Sequence, residues 1–231
     1  MLIGREEDAF DSPDYVYELK LDGDHCVAYL DPGHGTDLVN KRGKSIVSHF
    51  PELAYLHRQV SQRCILDGEL IVDSGQKHEF EFIRSRLSTT NKYSIRRLSQ
   101  KTPANFVAFD ILYEKTGPVM GLPLMERKAI LGRGVGEGDG LVISRYIENQ
   151  GVALYRLVEE RGLEGVVAKR KDSTYIMGKR SKDWVKFKNW VDDDFVICGY
   201  YPSDKANVFS LVLGQYRRDG DAPGSWSIKA T

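Results

Sequence analysis

The chain lacks the marks of several large protein classes. Its three cysteines, Cys26, Cys64 and Cys198, are an odd number at wide spacing with no CxxC pair. That excludes a disulfide framework and a zinc finger, and suits buried thiols in a reducing cytoplasm. No apolar run approaches the length of a membrane helix, and the acidic stretch Arg5–Asp14 is unlike a signal peptide, so no membrane partner is expected. The five histidines are scattered without metal spacing, and no Gly-x-Ser-x-Gly elbow occurs. Gly132–Gly140, GRGVGEGDG, reads as a flexible loop and misses the dinucleotide fingerprint because Glu137 stands where the last glycine is required. Gly43-Lys44-Ser45 ends like a phosphate-binding loop, but Leu38 occupies the place of its first glycine. There is no internal repeat and no low-complexity tract.

Net charge is also missing: 33 Lys and Arg balance 33 Asp and Glu. Distribution then matters more than the sum. Between Glu164 and Lys188 eight basic residues, from Lys169 to Lys188, face three acids. Such a run is either a solvated face or a patch that neutralises phosphates.

What is present is a real core. The chain has 231 residues, 41% of them hydrophobic and 29% charged, enough for one large domain or one domain and part of another. Short β-branched or aromatic runs predict strands at Tyr15–Leu21, Cys26–Leu30, Cys64–Val72, Asn105–Tyr113, Gly165–Arg170, Trp184–Lys188, Phe195–Tyr201 and Val208–Arg217. Apolar residues at three- and four-residue steps predict helices at Glu52–Gln62, Glu79–Leu87, Pro123–Leu131 and Asn149–Arg161. Without regular βα alternation this is an α+β domain of antiparallel sheets flanked by helices. The polar hinge Asn189–Asp194 divides residues 1–190 from 191–231, and the second part is too short for a self-sufficient domain.

Strand alternation in YELKLD puts Glu18, Lys20 and Asp22 on one face and Tyr17, Leu19 and Leu21 on the other. A lysine held between acids can be tuned as a nucleophile, although an ion-pair ladder on an exposed strand fits the same residues. In WVKFK, Trp184, Lys186 and Lys188 share a face. Two lysines two apart need an anionic partner such as a phosphate, or they guard an edge strand. Glu69 and Glu164 each lie beside a glycine and an apolar strand, where a carboxylate can bind a hydroxyl or a metal. Phe109 offers a ring for base stacking or for the core.

The order of these pieces is more specific than any one of them. Lys20-Leu21-Asp22-Gly23, Leu66-Asp67-Gly68-Glu69, Phe106–Tyr113, Glu164–Lys169 and Trp184–Lys188 resemble the motif series of the covalent nucleotidyltransferases. Phe50-Pro51-Glu52-Leu53, Pro123–Arg127 and Tyr175-x-x-Gly178-x-Arg180-Ser181-x-x-Trp184 add a resemblance to ATP-dependent DNA ligases of bacterial type, from about Asp14 onward. The resemblance implies an ATP-grasp-like nucleotidyltransferase domain over 1–190 and the first strands of an OB-fold over 191–231. It implies that Lys20 is the adenylated nucleophile, with Glu18 beside the adenine amino group and Phe109 stacked on the base. Glu69 would bind the ribose, Glu164 (and Glu69) a divalent metal, Lys186 and Lys188 the α-phosphate, and Asp22 would assist at the nick. The implied cofactors are ATP and Mg²⁺ or Mn²⁺. The implied setting is a cytoplasmic, nucleoid-associated monomer acting on nicked double-stranded DNA in repair, recombination or replication.

Two positions depart from the family pattern: His25 stands where an Arg is usual, and Lys41 where another is common. Neither can replace a bidentate guanidinium. The family's final basic motif, which orients pyrophosphate, is not in the sequence, so either a fragment or a shortened form is expected. A capping-type nucleotidyltransferase or RNA ligase shares the lysine motif, and a non-catalytic or impaired DNA-end-binding module is the reading from another class. The expected outcome on labelled substrates is slow self-adenylation with faster sealing of a pre-adenylated nick; equal rates would contradict it.

Overall fold

A computed structural model describes residues 1–72, 79–115, 117–190, 195–202, 209–215 and 227–230. Two compact units divide at Asn189, Met1–Asn189 and Trp190–Thr231. In the first, the strands are β1 (Leu2–Glu6), β2 (Tyr15–Leu19), β3 (Asp24–Asp31), β4 (Gly35–Asn40), β5 (Cys64–Val72), β6 (Ala104–Glu114), β7 (Gly117–Pro118), β8 (Leu141–Ile143), β9 (Tyr146–Glu148), β10 (Gly165–Arg170) and β11 (Arg180–Lys188). The helices are α1 (Glu79–Ser88), α2 (Lys92–Lys101), α3 (Leu124–Gly134) and α4 (Gly151–Arg161).

Alternation along β5, CILDGELIV, buries Cys64, Leu66, Leu70 and Val72 on one face, so a sheet must form with helices against it. That sheet runs β4-β3-β5-β6-β7, with β8 parallel to β6. Its apolar face packs on Phe50, Leu53, Leu56, Ile83 and Leu131 in one core, where each buried Leu or Phe contributes ~1.5–3 kcal/mol. The second sheet, β1-β11-β10-β2-β9, is antiparallel except for the β1–β11 pair. Tyr17, Val166, Ala168, Val185 and Phe187 bury its other side beneath Val158 of α4.

Both halves of the alternation in WVKFK hold, but β11 lies between β1 and β10 and so is no lysine-guarded edge. The helix expected over Glu52–Gln62 is instead two 3₁₀ turns, Pro51–Leu53 and Leu56–Gln59. Leu53, Leu56 and Val60 are buried as their spacing predicts. Glu52, however, accepts from Arg86 and from the Ala104 N–H, and Val60 makes a β-bridge with Val135, which pins the segment at both ends. α2, β1 and β4 were not legible as apolar periodicity: α2 offers only Ile95 and Leu98.

Two glycines are demanded by close approach. A Cβ at Gly23 would lie 2.2 Å from the Leu70 carbonyl oxygen, where β3 begins against β5. Gly165 has φ +155° and a Cβ there would meet the Phe187 oxygen at 2.2 Å. Each glycine neighbours a predicted site carboxylate, which explains the Asp-Gly and Glu-Gly pairs in the sequence.

The second unit contains β12 (Val196–Pro202), β13 (Phe209–Gln215) and β14 (Ser227–Ala230) in an antiparallel sheet of that order. The predicted strand over Val208–Arg217 overlaps β13, and Val208, Tyr216 and Arg217 lie outside the described residues. Most of the hinge predicted over Asn189–Asp194 is likewise outside them.

Arg127 of α3 is fully buried, donating to both Asp110 oxygens at 2.8 Å and to the Leu122 and Ser173 carbonyls. Removing one member strands a buried charge. Arg127→Met should therefore cost ~3–5 kcal/mol in denaturant unfolding. Pairing it with Asp110→Leu should recover much of that loss.

Candidate functional site

β2 ends at Leu19, and the Lys20 N–H donates to the Gly165 carbonyl at 2.9 Å. The pairing with β10 thus carries on to Lys20, and Glu18 and Lys20 both reach one cavity as the alternation predicts, while Asp22 does not join them. Glu18 points inward and Asp22 is exposed. Lys20 Nζ instead lies 2.6 Å from Glu164 Oε1, both side chains about three-quarters buried. On the expected packing side Tyr17 is buried in the core, whereas Leu19 is exposed and lines a cavity with Leu21.

That cavity, about 320 Å³, opens between the two sheets. A volume in this range suits a small ligand. Glu18, Lys20, Glu69, Phe109 and Lys186 line it, joined by His25, Ser144, Lys169, Trp184 and the first residues of β1. Five predicted residues from four separate stretches are thus brought together. Glu164 reaches the group through Lys20. Asp22 and Lys188 do not line the cavity; Lys188 pairs with Gly165 at the end of β11, and its carbonyl accepts from Tyr155.

Glu18 is held by three groups. Lys128 Nζ lies 2.5 Å and Lys169 Nζ 3.1 Å from its Oε1, and the Ser144 hydroxyl donates to Oε2 at 2.6 Å. Burial would raise its pKa, but the two lysines outweigh that and hold it below the ordinary carboxylate value. Lys169 is itself pushed down to about 8, by burial first and by Lys128, against the pull of Glu18. Its ammonium sits 4.4 Å from the ring centres of both Phe109 and Trp184, so the aromatic wall is cation-capped. Sequence reasoning missed Lys128 and Lys169 as site groups. Lys169 stands in the apolar run VVAK, which was the available signal that it is buried.

Four of the eight basic residues of the run Glu164–Lys188 are held in ion pairs. Lys169 is buried on Glu18, Arg170 pairs with Asp172, Lys171 with Glu148, and Lys186 with Glu6 at 2.6 Å. Only Lys186 among these lies at the cavity as a half-exposed cation with an exchangeable partner.

Glu69 is pushed up to about 7, chiefly by burial and further by Asp24 and Glu164, with His25 and Lys20 opposing. Among the described residues no group of three His, Cys, Asp or Glu side chains could form an all-protein metal cage. One or two carboxylates, completed by substrate phosphates and water, are nevertheless the usual donor set for Mg²⁺. Glu164, with Glu69 beside it, fits that limited role.

His25 lies in the cavity wall, its Nε2 2.6 Å from Asp67 Oδ1, while the Tyr175 hydroxyl donates to Asp67 Oδ2 at 2.6 Å. Its ring is stacked with Phe109 at 6.3 Å. Lys41 is turned to Asp24 at 3.7 Å.

A family model described as "ATP dependent DNA ligase domain" matches residues 5–188. The chain is 32% identical over 218 residues to DNA ligase C of Mycobacterium tuberculosis, covering 90% of this chain and 60% of that protein. It is 30% identical over 217 residues to the SPbeta prophage-derived DNA ligase-like protein LigB of Bacillus subtilis, covering 93% and 76%. Among solved structures, mycobacterial DNA ligase D complexed with ATP and MES matches with a TM-score of 0.65 at 25% identity, over 93% of this chain and 66% of that one. The chain thus spans about 60% of the length of the mycobacterial ligase C proteins it matches.

Burial alone would lower the His25 pKa, but the hydrogen bond and charge of Asp67 raise it above the ordinary value. Asp67, in turn, is lowered against its burial by His25. A raised histidine pKa stabilises the fold fully below the unfolded value and loses that stabilisation as pH rises through the folded value. His25→Ala should therefore cost ~1–3 kcal/mol near neutral pH, with a smaller cost at alkaline pH. Urea unfolding of both proteins across that range checks the sign; a cost that grows with pH would contradict it.

Proposed function

The chain belongs to the ATP-dependent DNA ligase family, and from that premise we propose that Lys20 becomes covalently adenylated on the way to sealing a DNA nick. The observation that carries this reading is the convergence of Glu18, Lys20, Glu69, Phe109 and Lys186 on one cavity, with Glu164 on the Lys20 amine.

Lys20 Nζ, as the neutral amine, attacks the α-phosphorus of ATP; the N–P bond forms and pyrophosphate leaves with the electrons of the broken P–O bond. The nucleotidyl group then passes to the 5′-phosphate of the nick, freeing Lys20. Finally the 3′-hydroxyl attacks that phosphate, closing the phosphodiester and releasing AMP. Phosphoryl transfers of this kind depend on positioning and on neutralising charge.

The residues divide that work. Phe109 provides a ring face for the base, and Glu18, fixed by Lys128, Lys169 and Ser144, a rigid wall beside it. Glu69 faces the ribose as a partly protonated carboxyl at neutral pH. Lys186 takes the α-phosphate by exchanging Glu6 for it, and Lys188 and Asp22 act at the rim on later steps. A divalent cation, Mg²⁺ or Mn²⁺, held by Glu164 with phosphate oxygens, would supply positive charge to the reacting phosphate. Lys20 would have to leave its ion pair with Glu164 for its amine to attack.

The substrate in this reading is nicked duplex DNA, and the setting a bacterial cytoplasm, with β12–β14 as the opening strands of an OB barrel. Among the described residues no helix is long and apolar enough to cross a membrane. Incubation with Mg²⁺ and α-labelled ATP, followed by denaturing electrophoresis and peptide mapping, should place the label on Lys20. Lys20→Ala should reduce labelling to background, and wild-type protein that never carries label there would sink the proposal.

A further inference from the structure

Away from the cavity, charge is unevenly spread. From Phe82 to Phe109 the sequence carries Arg84, Arg86, Lys92, Arg96, Arg97 and Lys101 and no acid, in a chain whose total is zero. Arg86 is consumed internally by Glu52 and the His49 carbonyl. The other five are exposed.

α2 is a well-formed helix: the Asn91 side chain accepts from the Tyr93 and Ser94 N–H groups at its start. Ile95 and Leu98 turn towards the protein, leaving Lys92, Tyr93, Arg96, Arg97 and Lys101 on the outer face, with Tyr93 88% exposed. Among the described residues none of these four cations has an ion-pair partner. The pairs Lys92/Arg96 and Arg97/Lys101 are four residues apart, where like charges repel. A helix face arranged this way is relieved by a polyanion.

A series of hollows joins the face to the site: Lys41 shares one with Met1, Leu2 and His25 of the cavity wall. Lys41, Arg42, Lys44 and Arg84 line a hollow that begins at Asp24, four residues after Lys20, and includes His49. His49 in turn lines the adjoining hollow with Lys92 and Arg96. A cationic track therefore leads from the start of β3 to α2. Lys92 to Lys101 spans ~13 Å of helix, comparable with about four base pairs of duplex.

We propose that the outer face of α2 grips the phosphate backbone of duplex DNA flanking the nick. The proposal rests on the reading that this chain acts on DNA. Lys92, Arg96, Arg97 and Lys101 neutralise phosphates without reading bases, and Tyr93 donates its hydroxyl to a phosphate oxygen.

The test uses the full chain with Lys92, Arg96, Arg97 and Lys101 all changed to Gln, which keeps helix propensity while removing charge. Arg156→Gln/Arg161→Gln, on the exposed face of α4, is the control. Binding of a fluorescent nicked duplex is followed across a salt series, and ATP labelling of Lys20 is measured without DNA. Affinity at low salt should fall at least tenfold, and the log–log salt slope should become shallower by ~0.9 per lost phosphate contact. Labelling of Lys20 and the control variant should match the parent. Unchanged affinity and slope would overturn the proposal and leave the face to an acidic protein partner; an equal loss in the control would overturn it as well. Should the fourfold variant not fold, Lys92→Gln/Arg96→Gln and Arg97→Gln/Lys101→Gln should each give part of the slope change, and no change in either overturns it. A parent that never labels Lys20 while its salt slope still depends on α2 would defeat the nucleotidyl-transfer reading alone.

Discussion

Glu18 is a fully buried carboxylate, and the site is built around keeping it charged. A lone carboxylate in such a place costs several kcal/mol after relaxation. Here α3 supplies Lys128, β10 supplies Lys169, and Ser144, between β8 and β9, supplies a hydroxyl. Each comes from an element that must be in place before the charge is tolerable. The register follows: Glu18 pairs with Val167 on one side and Tyr146 on the other, and Val167 pairs with Lys186 across β10. One buried acid thereby sets the cavity wall, the start of the Lys20 segment and the position of Lys186. Its cost is also spread: Lys169, lowered to about 8, makes the Glu18 network a balance of two cations on one anion.

The sequence made strands legible wherever alternation or β-branching was strong. Cys64–Val72 and Gly165–Arg170 coincide with β5 and β10. It failed where the structure answers to something other than apolar period. α2 turns two apolar residues inward and is otherwise polar, and the Glu52–Gln62 segment is governed by an Arg86–Glu52 ion pair and a β-bridge. The site was legible as an ordered set of motifs, because glycines at close approaches and carboxylates beside them leave a fixed trace. Partners were not. Lys20 reads as standing between Glu18 and Asp22, yet its contact is Glu164, distant in sequence and brought near by the β2–β10 pairing. Ion-pair choice depends on which strands become neighbours, and local spacing does not contain it.

His25 shows the same dependence in another form. Where a guanidinium could fork, an imidazole makes one short contact to Asp67 and lays its ring along Phe109. Asp67 is completed by Tyr175, so His25 is stitched into the wall. A buried acid with a second partner thus fixes the imidazole beside the aromatic ring.

The two cations best placed for an anionic substrate are both engaged: Lys20 with Glu164 and Lys186 with Glu6. Binding a phosphate here is therefore an exchange of one oxyanion for another, and the Coulombic gain of each new contact is offset by the contact given up. In the nucleotide-binding reading, net affinity would then come from what the exchange does not cancel, namely base and ribose burial against Phe109 and Glu69. In the nucleotidyl-transfer reading Lys20 must also leave Glu164 before its amine can attack, so binding and reaction would draw on the same exchange of partners.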